Sequence, residues 1–322
     1  MNVRRAVLIT GLWLVCLSAL VPPLAAGETI RPEEFAGRCA AGTVTLTQDL
    51  KVAQGFASLS GGCTVVVPAF LKFETEDITL EIRDDFVVHG AEKSQIIVAQ
   101  SHIIQAGVPY SETPAAVRLT VEGREGLVKV QQSFLIVDRE VLLQAGGGEK
   151  GTVIIQESEV RSYLQNIQVL ASRNHSEGKS EVSESVLFAE GHILVAAGDQ
   201  RNGDRGEAKL QESAAVAWQD VRVLSGHRGK TIVQQDDHDW RIEVLGETYA
   251  GIYAMGRFAA ASGRDGETIV QENVVHGHDG VSITSGRKTV VQQNNFTDSD
   301  PIHVHSDGQC DVSGNMPVVQ CG

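Results

Sequence analysis

Acidic and imidazole side chains gather in three short segments in the last third of the chain. The first segment contains Asp237 and Asp239, the second contains His278 and Asp279, and the third contains Asp300. Two carboxylates about 5 Å apart or more can share the roles of acid and of nucleophile or base in sugar chemistry. We therefore treat these five as candidate catalytic residues. The same carboxylates suit a hard cation, so Ca²⁺ is the one cofactor that these residue types suggest, and metal dependence stays open.

Aromatic and basic side chains lie close to the acidic segments in the sequence. The longest gap between repeats contains the segment 247–266, which carries several of them, although the whole chain has only 3 Trp and 4 Tyr. Flat aromatic faces beside fixed hydrogen-bonding groups are what a sugar-binding site needs. The candidate binding residues are Trp218, Trp240, Arg241, Tyr249, Tyr253 and Arg257.

Each of these residues also has a purely structural explanation. Asp236 and His238 fall at repeat positions that have structural roles in the other copies, so we expect both to be structural. Asp and His are common solvated residues of turns, and the segment 247–266 can equally be a simple loop.

Each acidic segment overlaps or follows one copy of a hexad that recurs at least eight times. Its first position is aliphatic, its third is Gln or Glu, and its fourth is small and polar in all eight copies. A short alternating apolar pair and a glycine-containing turn follow most copies, which is typical of short strands. The copies begin at Val98, Val130, Ile155, Val182, Leu210, Val233, Val270 and Val291.

A repeat of this kind cannot bury its inner face alone, but stacked copies can. The sequence therefore predicts an all-β solenoid of at least eight coils, about 4.8 Å apart, without helices. The aliphatic positions should fill the interior, and the small polar column should lie at a bend where each side chain satisfies its neighbour's backbone. Because burial of a stack of Glu side chains is costly, we expect the bend to turn the Gln/Glu column outward.

Two segments, VQENVVHGHDGVSITSG (270–286) and VQQNNFTDSDPIHVHSDG (291–308), combine aliphatic-x-x-Asn-x-aliphatic with Ile-x-Val and Gly. In this pattern the chain resembles the right-handed parallel β-helix proteins, which include pectate lyases, polygalacturonases, alginate epimerases and NosD-like periplasmic proteins. The resemblance covers 64–308 and implies a right-handed parallel β-helix. It leaves the activity open, because these families bind, cleave, epimerise or scaffold.

The polygalacturonase pattern is matched only in part. The elements DD (236–237), GHDG (277–280) and RK (287–288) occur in that family's order. However, the Asn-x-Asp element is missing, Asp279 interrupts Gly-His-Gly, and the basic pair lacks its spacer. The departures disfavour this activity, and no motif supports a pectate-lyase-like site.

The two ends of the chain differ from the repeat. Residues 1–26 have a basic start, an apolar run and small residues at their end, which is the pattern of a cleaved secretory signal peptide. We expect 27–63 to form an N-terminal cap region, 64–308 to form the β-helix, and 309–322 to form a C-terminal cap.

Four cysteines remain after signal cleavage, and an even number in an exported protein suggests disulfides. The simplest pairing joins Cys39 to Cys63 and Cys310 to Cys321, although three pairings are open in principle. A cysteine-bearing end on each side favours a closed monomer.

The composition excludes several classes of partner. The chain has 322 residues with 27 Lys+Arg against 41 Asp+Glu. Loss of the first 26 residues, which carry two arginines and no acidic side chain, changes the net charge from −14 to −16. This acidic balance argues against nucleic acid and anionic membranes as partners. No segment after the signal is long and apolar enough to span a bilayer, so we expect the periplasm, the cell surface or the medium as the location.

Three functions stay open on this basis. The first is an exported, non-catalytic β-helix that binds or scaffolds a polysaccharide or envelope partner through the acidic and aromatic face of its last coils. The second is a carbohydrate-active enzyme (a lyase, hydrolase or epimerase) that uses the same face. The third is a fibrous or adhesive solenoid that associates through its Gln column.

Overall fold

The protein is a right-handed parallel β-solenoid of about ten turns, as the repeat predicts. The computed structural model describes most of the chain and, for two strands of one hairpin, the backbone alone. The described ranges are 27–147, 150–172, 177–198, 205–235 and 251–322, with backbone only for 241–244 and 247–250.

The described residues form one short helix, α1 (Pro32–Cys39), and 33 strands. The strands before residue 150 are β1 (Glu28–Ile30), β2 (Thr43–Thr45), β3 (Leu50–Leu59), β4 (Cys63–Val67), β5 (Lys72–Ile82), β6 (Phe86–Gly90), β7 (Gln95–Ala99), β8 (His102–Gln105), β9 (Val117–Val121), β10 (Leu127–Gln131), β11 (Phe134–Val137) and β12 (Val141–Ala145). The next ten are β13 (Thr152–Gln156), β14 (Glu159–Ser162), β15 (Ile167–Ala171), β16 (Lys179–Ser183), β17 (Val186–Ala189), β18 (Ile193–Ala197), β19 (Glu207–Gln211), β20 (Ala214–Ala217), β21 (Val221–Ser225) and β22 (Lys230–Gln234). The last eleven are β23 (Arg241–Val244), β24 (Glu247–Ala250), β25 (Ile252–Ala254), β26 (Phe258–Ala261), β27 (Glu267–Gln271), β28 (Val274–Gly277), β29 (Val281–Ser285), β30 (Lys288–Gln292), β31 (Asn295–Thr297), β32 (Ile302–Ser306) and β33 (Gln309–Ser313).

A typical coil consists of three strands, as in β10, β11 and β12. The first two belong to a 20-stranded sheet and are separated by a bend, and the third belongs to an 11-stranded sheet. Parallel pairing keeps equivalent residues in register, so Val130 lies opposite Ile155, and Ile155 lies opposite Val182. These three side chains are fully buried. Because successive side chains of a strand point to opposite faces, their neighbours lie on the outside of the coil.

The bend between the first two strands turns the Gln/Glu column outward, which confirms that prediction. Seven of its eight members have a left-handed backbone, with φ from 46° in Glu212 to 56° in Glu272. A left-handed residue other than glycine costs about 1–3 kcal/mol, so neighbouring interactions must stabilise the bend. The eighth member, Gln235, is buried, and its side-chain amide donates to the carbonyl oxygen of Ser213 (2.9 Å).

Buried serine side chains stabilise the bend. The hydroxyl of Ser158 donates to the carbonyl oxygen of Gln156 (2.6 Å) and accepts the N–H of Ser133 (3.1 Å). Ser133 and Ser185 repeat both contacts in their own coils. The prediction that the polar column satisfies its neighbours' backbone is therefore confirmed.

In the last coils, asparagine instead of serine occupies the small polar position of the hexad. The side-chain oxygen of Asn294 accepts the N–H of Asn273 (3.1 Å), and that of Asn315 accepts the N–H of Asn294 (2.9 Å). Asn315 belongs to a ninth copy of the hexad, VSGNMP (312–317). This copy departs from the pattern of the other eight because Gly314, with a φ of 66°, replaces the Gln or Glu of the third position.

Both ends of the solenoid are covered. No helix occurs in the described part of 64–308, as the repeat predicts, whereas the N-terminal cap region contains α1, which lies over the first coils and whose fully buried Phe35 packs 5.7 Å from Phe73. This helix has Pro at its start and is only eight residues long, so it lacks the extended periodicity that reveals longer helices. Cys39 pairs with Cys63 and Cys310 with Cys321, as the simplest pairing predicts. No helix in the described part of the chain is long and apolar enough to cross a membrane.

Regular strand pairing extends into both predicted cap regions. Strands β2 and β3 pair in parallel with β4 and β5, and β33 pairs with β30. The N-terminal strands continue the same columns as the later coils. Their hexads differ from the later copies because Gly55 in β3 and Ile78 in β5 occupy the fourth position, where the later copies have a small polar residue.

The segment 247–266 is not a single insertion. Only 247–250 belongs to an inserted antiparallel hairpin, in which β24 pairs with β23, and β23 lies against β20. Strands β25 and β26 then return to the regular columns beside β20 and β21. Tyr253 and Arg257 are therefore parts of an ordinary coil.

Candidate functional site

The turns that lead from the second to the third strand of each coil stack into a ridge along the solenoid axis. The N–H of Trp218 donates to the carbonyl oxygen of Ala189 (3.1 Å), and the N–H of His278 donates to that of Ala254 (3.0 Å). These bonds keep equivalent turn residues one coil apart. We name this column the turn ridge; its members are Asp138, Tyr163, Glu190, Trp218, Met255 and His278.

The C-terminal half of the turn ridge is open to solvent. Trp218 and Met255 are 42% and 43% exposed, and His278 is exposed as well. On the outer face of the adjoining strands, the rings of Tyr253 and His276 are stacked, with centroids 4.3 Å apart and planes 7° apart. The ring of His278 lies 6.5 Å from that of His276. Trp218 and His278 therefore lie in the turn column, and the stacked rings of Tyr253 and His276 lie in the column two residues earlier.

The environment of His276 keeps its imidazole uncharged near neutral pH. Burial lowers the pKa of His276 below its ordinary value, and the nearby carboxylate of Asp298, with 3.8 Å between Oδ2 and Nδ1, offsets only part of this effect. A neutral, largely buried ring stacked on Tyr253 has a packing role as well as a free edge for hydrogen bonding.

A shallow cavity of about 220 Å³ lies at the C-terminal end of the turn ridge. Its polar lining consists of Arg257, Asp279, Ser282 and His303, with Pro301 as an apolar wall. The N–H of Asp279 donates to the carbonyl oxygen of Gly256 (3.0 Å), which fixes this turn against the preceding coil. A carboxylate, a guanidinium, a hydroxyl and an imidazole around a cavity of this size can form hydrogen bonds with sugar hydroxyls.

Asp220 fixes the position of Arg257. Its carboxylate accepts the backbone N–H of Arg257 (2.9 Å) and forms an ion pair with Arg222. Burial would raise the pKa of Asp220, but these two partners outweigh burial and lower the pKa below its ordinary value. The ionised carboxylate therefore holds the turn that carries Arg257 into the cavity.

The N-terminal half of the turn ridge is covered by a loop, residues 106–116, which we name the strap. The fully buried carboxylate of Asp138 accepts the backbone N–H groups of Tyr110 (2.8 Å) and Ser111 (2.5 Å). The phenol of Tyr110 donates to Glu190 (2.6 Å), and this bond is the main cause that raises the pKa of Tyr110 to about 12. Through Tyr110 the strap reaches along the turn ridge as far as Glu190, which lies one coil before Trp218.

An apolar cluster outside the solenoid interior supports the ridge. It consists of Tyr163, Phe188, Ala214 and Val216, and Tyr253 packs against it. Phe188 is fully buried although it lies on the outer face of its strand. Such burial makes the base of Tyr253 rigid, which suits a surface that must present a ring in a fixed orientation.

The structure brings together five of the predicted site residues. Trp218, Tyr253, Arg257, His278 and Asp279 all lie on or beside the open half of the turn ridge.

The other predicted site residues fall into two groups. Asp300 is exposed and directly precedes Pro301 of the cavity wall. The remaining positions lie outside the described residues, or outside the described side chains in the hairpin; they are Asp237, Asp239, Trp240, Arg241 and Tyr249.

Three further residues lie at the site, namely His276, Ser282 and His303. His276 and His303 belong to the aspartate- and histidine-bearing segments of the last coils, and Ser282 has no distinguishing signal in the sequence. All three alternate with buried residues of β28, β29 and β32. The period-two pattern could have placed them on the outer face, but not beside Tyr253 or Arg257.

The structure does not favour the polygalacturonase arrangement. Arg287 forms an ion pair with Glu267 and lies where the third strand leads into the next coil, at a different edge from His278. Among the described residues, no group of three His, Cys, Asp or Glu side chains comes together as a metal site. The Ca²⁺ suggestion therefore gains no ligand set from these residues.

No known relative identifies the chain. Protein-family models, curated proteins and solved structures all give no match. The chain has a parallel β-solenoid fold, but no family or homologue match assigns it to the pectate lyase or NosD-like families.

Proposed function

We propose that this chain is an exported glycan-binding β-solenoid that holds a polysaccharide or an envelope glycan along the open half of its turn ridge. The observation that carries this proposal is the group of rings on the open half of the turn ridge: Trp218 and His278 are exposed, and the partly buried rings of Tyr253 and His276 are stacked beside them. Aromatic faces suit the apolar faces of sugar units. The adjoining cavity supplies hydrogen-bonding partners for hydroxyls.

The contacts that the described site residues make favour binding over catalysis. His276 is held by stacking on Tyr253, and the backbone of Arg257 is held by Asp220. Asp279 lines the cavity among a cation, a hydroxyl and an imidazole, an arrangement that suits hydrogen bonding. A carbohydrate-active enzyme on the same face is the alternative that the experiment below separates from binding.

Export is part of the proposal. Two disulfides support a non-reducing compartment. The mature protein, beginning near residue 27, should be recovered from the periplasm, the cell surface or the medium. Its intact mass should correspond to two disulfides and to loss of the signal peptide.

The test is a glycan screen with the mature, oxidised protein. Retention on immobilised neutral and acidic polysaccharides is measured together with release of reducing ends and of unsaturated uronates. Trp218→Ala should abolish retention on neutral polysaccharides, and Phe56→Ala, which removes an aromatic side chain that is 54% exposed on the first coils, should not. Retention without product formation supports the proposal. Product formation would establish an enzyme instead, and equal retention by both variants would exclude the turn ridge as the binding surface.

A further inference from the structure

Basic side chains line a groove at the edge where the third strand of each coil leads into the first strand of the next. The groove has a volume of about 420 Å³ and also contains Glu177 and Glu207. The chain as a whole has a net charge of −14, so a local excess of positive charge needs an explanation. We name this surface the basic groove; its cations are Lys150, Lys179, Arg205, Arg228 and Lys230.

The cations of the basic groove follow the coils. The N–H of Lys179 donates to the carbonyl oxygen of Gly151 (2.9 Å), and the N–H of Lys230 donates to that of Gly206 (2.8 Å). Equivalent positions therefore recur at the coil spacing of roughly 4.8 Å. Since glycines without side chains line the groove between the cations, an extended ligand parallel to the solenoid axis would meet a positive charge on each of four successive coils.

Three of the five cations are available to a ligand. Within the described ranges, no residue forms an ion pair with Lys150, Arg205 or Lys230. Lys179 pairs with Glu181, and Arg228 lies 3.7 Å from Asp265, but these side chains are 41% and 56% exposed. Exposed pairs of this kind are weak, so an anion can replace them.

We propose that the basic groove binds a linear polysaccharide whose sugar units carry carboxylate groups. Each of the four coils carries at least one of the five cations, with Arg228 and Lys230 both on the fourth, which suits a polymer with negative charges at regular intervals. Glu177 and Glu207 lie among the cations and would repel a densely charged phosphate chain, whereas they can accept hydrogen bonds from sugar hydroxyls. The groove lining contains no aromatic side chain, which a single-stranded nucleic acid would need for base stacking.

This site is separate from the turn ridge and does not rest on the proposed function. The turn ridge lies between the second and third strands of a coil, and the basic groove lies between the third strand and the next coil. Loss of binding at one surface therefore does not affect binding at the other, and variants of each surface can be tested separately.

The test measures binding of fluorescently labelled oligogalacturonate and hyaluronan oligomers to the mature protein at low and at physiological ionic strength. The triple variant Lys150→Gln, Arg205→Gln and Lys230→Gln should lose on the order of 100-fold in affinity, because two unit charges at about 4 Å in water contribute roughly fivefold per pair. Higher salt should weaken binding to the wild type.

The matched control removes three positive charges elsewhere, in Arg31→Gln, Arg83→Gln and Lys129→Gln. None of the described residues forms an ion pair with these three side chains, so the two triple variants have the same charge and a comparable effect on folding. Thermal unfolding of both confirms that they are folded, and Arg205→Gln alone should show an intermediate loss.

Three results would overturn the proposal. One is an equal loss of affinity in the two triple variants, which would mean that only overall charge matters. Another is the absence of binding to both carboxylated oligomers at low salt. The third is tighter binding of a single-stranded oligonucleotide of equal charge, which would make the groove a nucleic-acid site.

Discussion

Asp138→Ala should release the strap while the solenoid stays folded. The carboxylate of Asp138 is fully buried and accepts the backbone N–H groups of Tyr110 and Ser111 and the side-chain amide of Gln105 (3.2 Å). A hydrogen bond to a charged group contributes about 1.5–3 kcal/mol. The two backbone bonds alone therefore hold the strap by roughly 3–6 kcal/mol.

The solenoid should lose less stability than this sum, because the strap can detach locally while the coils stay paired. Detachment exposes the N–H groups of Tyr110 and Ser111 to water, which satisfies them. The expected result is a small change in the melting temperature together with a large loss of local protection.

Hydrogen exchange measured by mass spectrometry separates these two effects. Peptides that cover 106–116 should exchange at nearly unprotected rates in Asp138→Ala, while peptides that cover β13 to β15 should keep their protection. Glu112→Ala is the matched control, since it removes the same charge from an exposed position of the strap. Unchanged protection of the strap in Asp138→Ala, or equal exchange in the two variants, would refute the anchoring role of Asp138.

Two further changes test the bend and the end of the strap. Ser158→Ala should destabilise the protein by about 1–3 kcal/mol, because the buried N–H of Ser133 loses its acceptor; urea unfolding and exchange of that amide measure the loss, and the outward-facing Ser183→Ala should have almost no effect. Glu190→Gln should bring the pKa of Tyr110 from about 12 back toward roughly 10, as measured by ultraviolet titration. Since the raised pKa favours the neutral phenol, the stabilisation from this bond should be complete below pH ~10 and lost as the pH rises through about 12; a pKa unchanged in the variant would contradict this contact.

The repeat predicts the coils well, because burial and polarity recur at fixed positions. The outward turn of the Gln/Glu column follows from the cost of burying charge. That Glu212 and its equivalents adopt a left-handed backbone does not follow from propensity, since glycine and asparagine are the usual residues there. The hydroxyls and amides of the next position stabilise this backbone, and only their three-dimensional ladder reveals it.

Local sequence patterns do not predict contacts between residues that are far apart in the sequence. Tyr110 and Glu190 are 80 residues apart, and nothing near either residue indicates the other. The candidate site also depends on contacts between distant segments. Sequence spacing places His278 and Asp279 in a turn, but the stacking of His276 on Tyr253 depends on the register of two coils. The chemistry-bearing residues were therefore easier to predict than the partners that orient them.

The most direct test of glycan binding on the turn ridge is calorimetric titration of the mature protein with a neutral glycan retained in the screen. The proposal predicts saturable binding of one chain, weakened at least about 30-fold in Trp218→Ala, since a central aromatic contact contributes about 2 kcal/mol or more. Phe56→Ala should bind as the wild type does. Wild-type affinity in Trp218→Ala, or an equal loss in Phe56→Ala, would contradict the central claim.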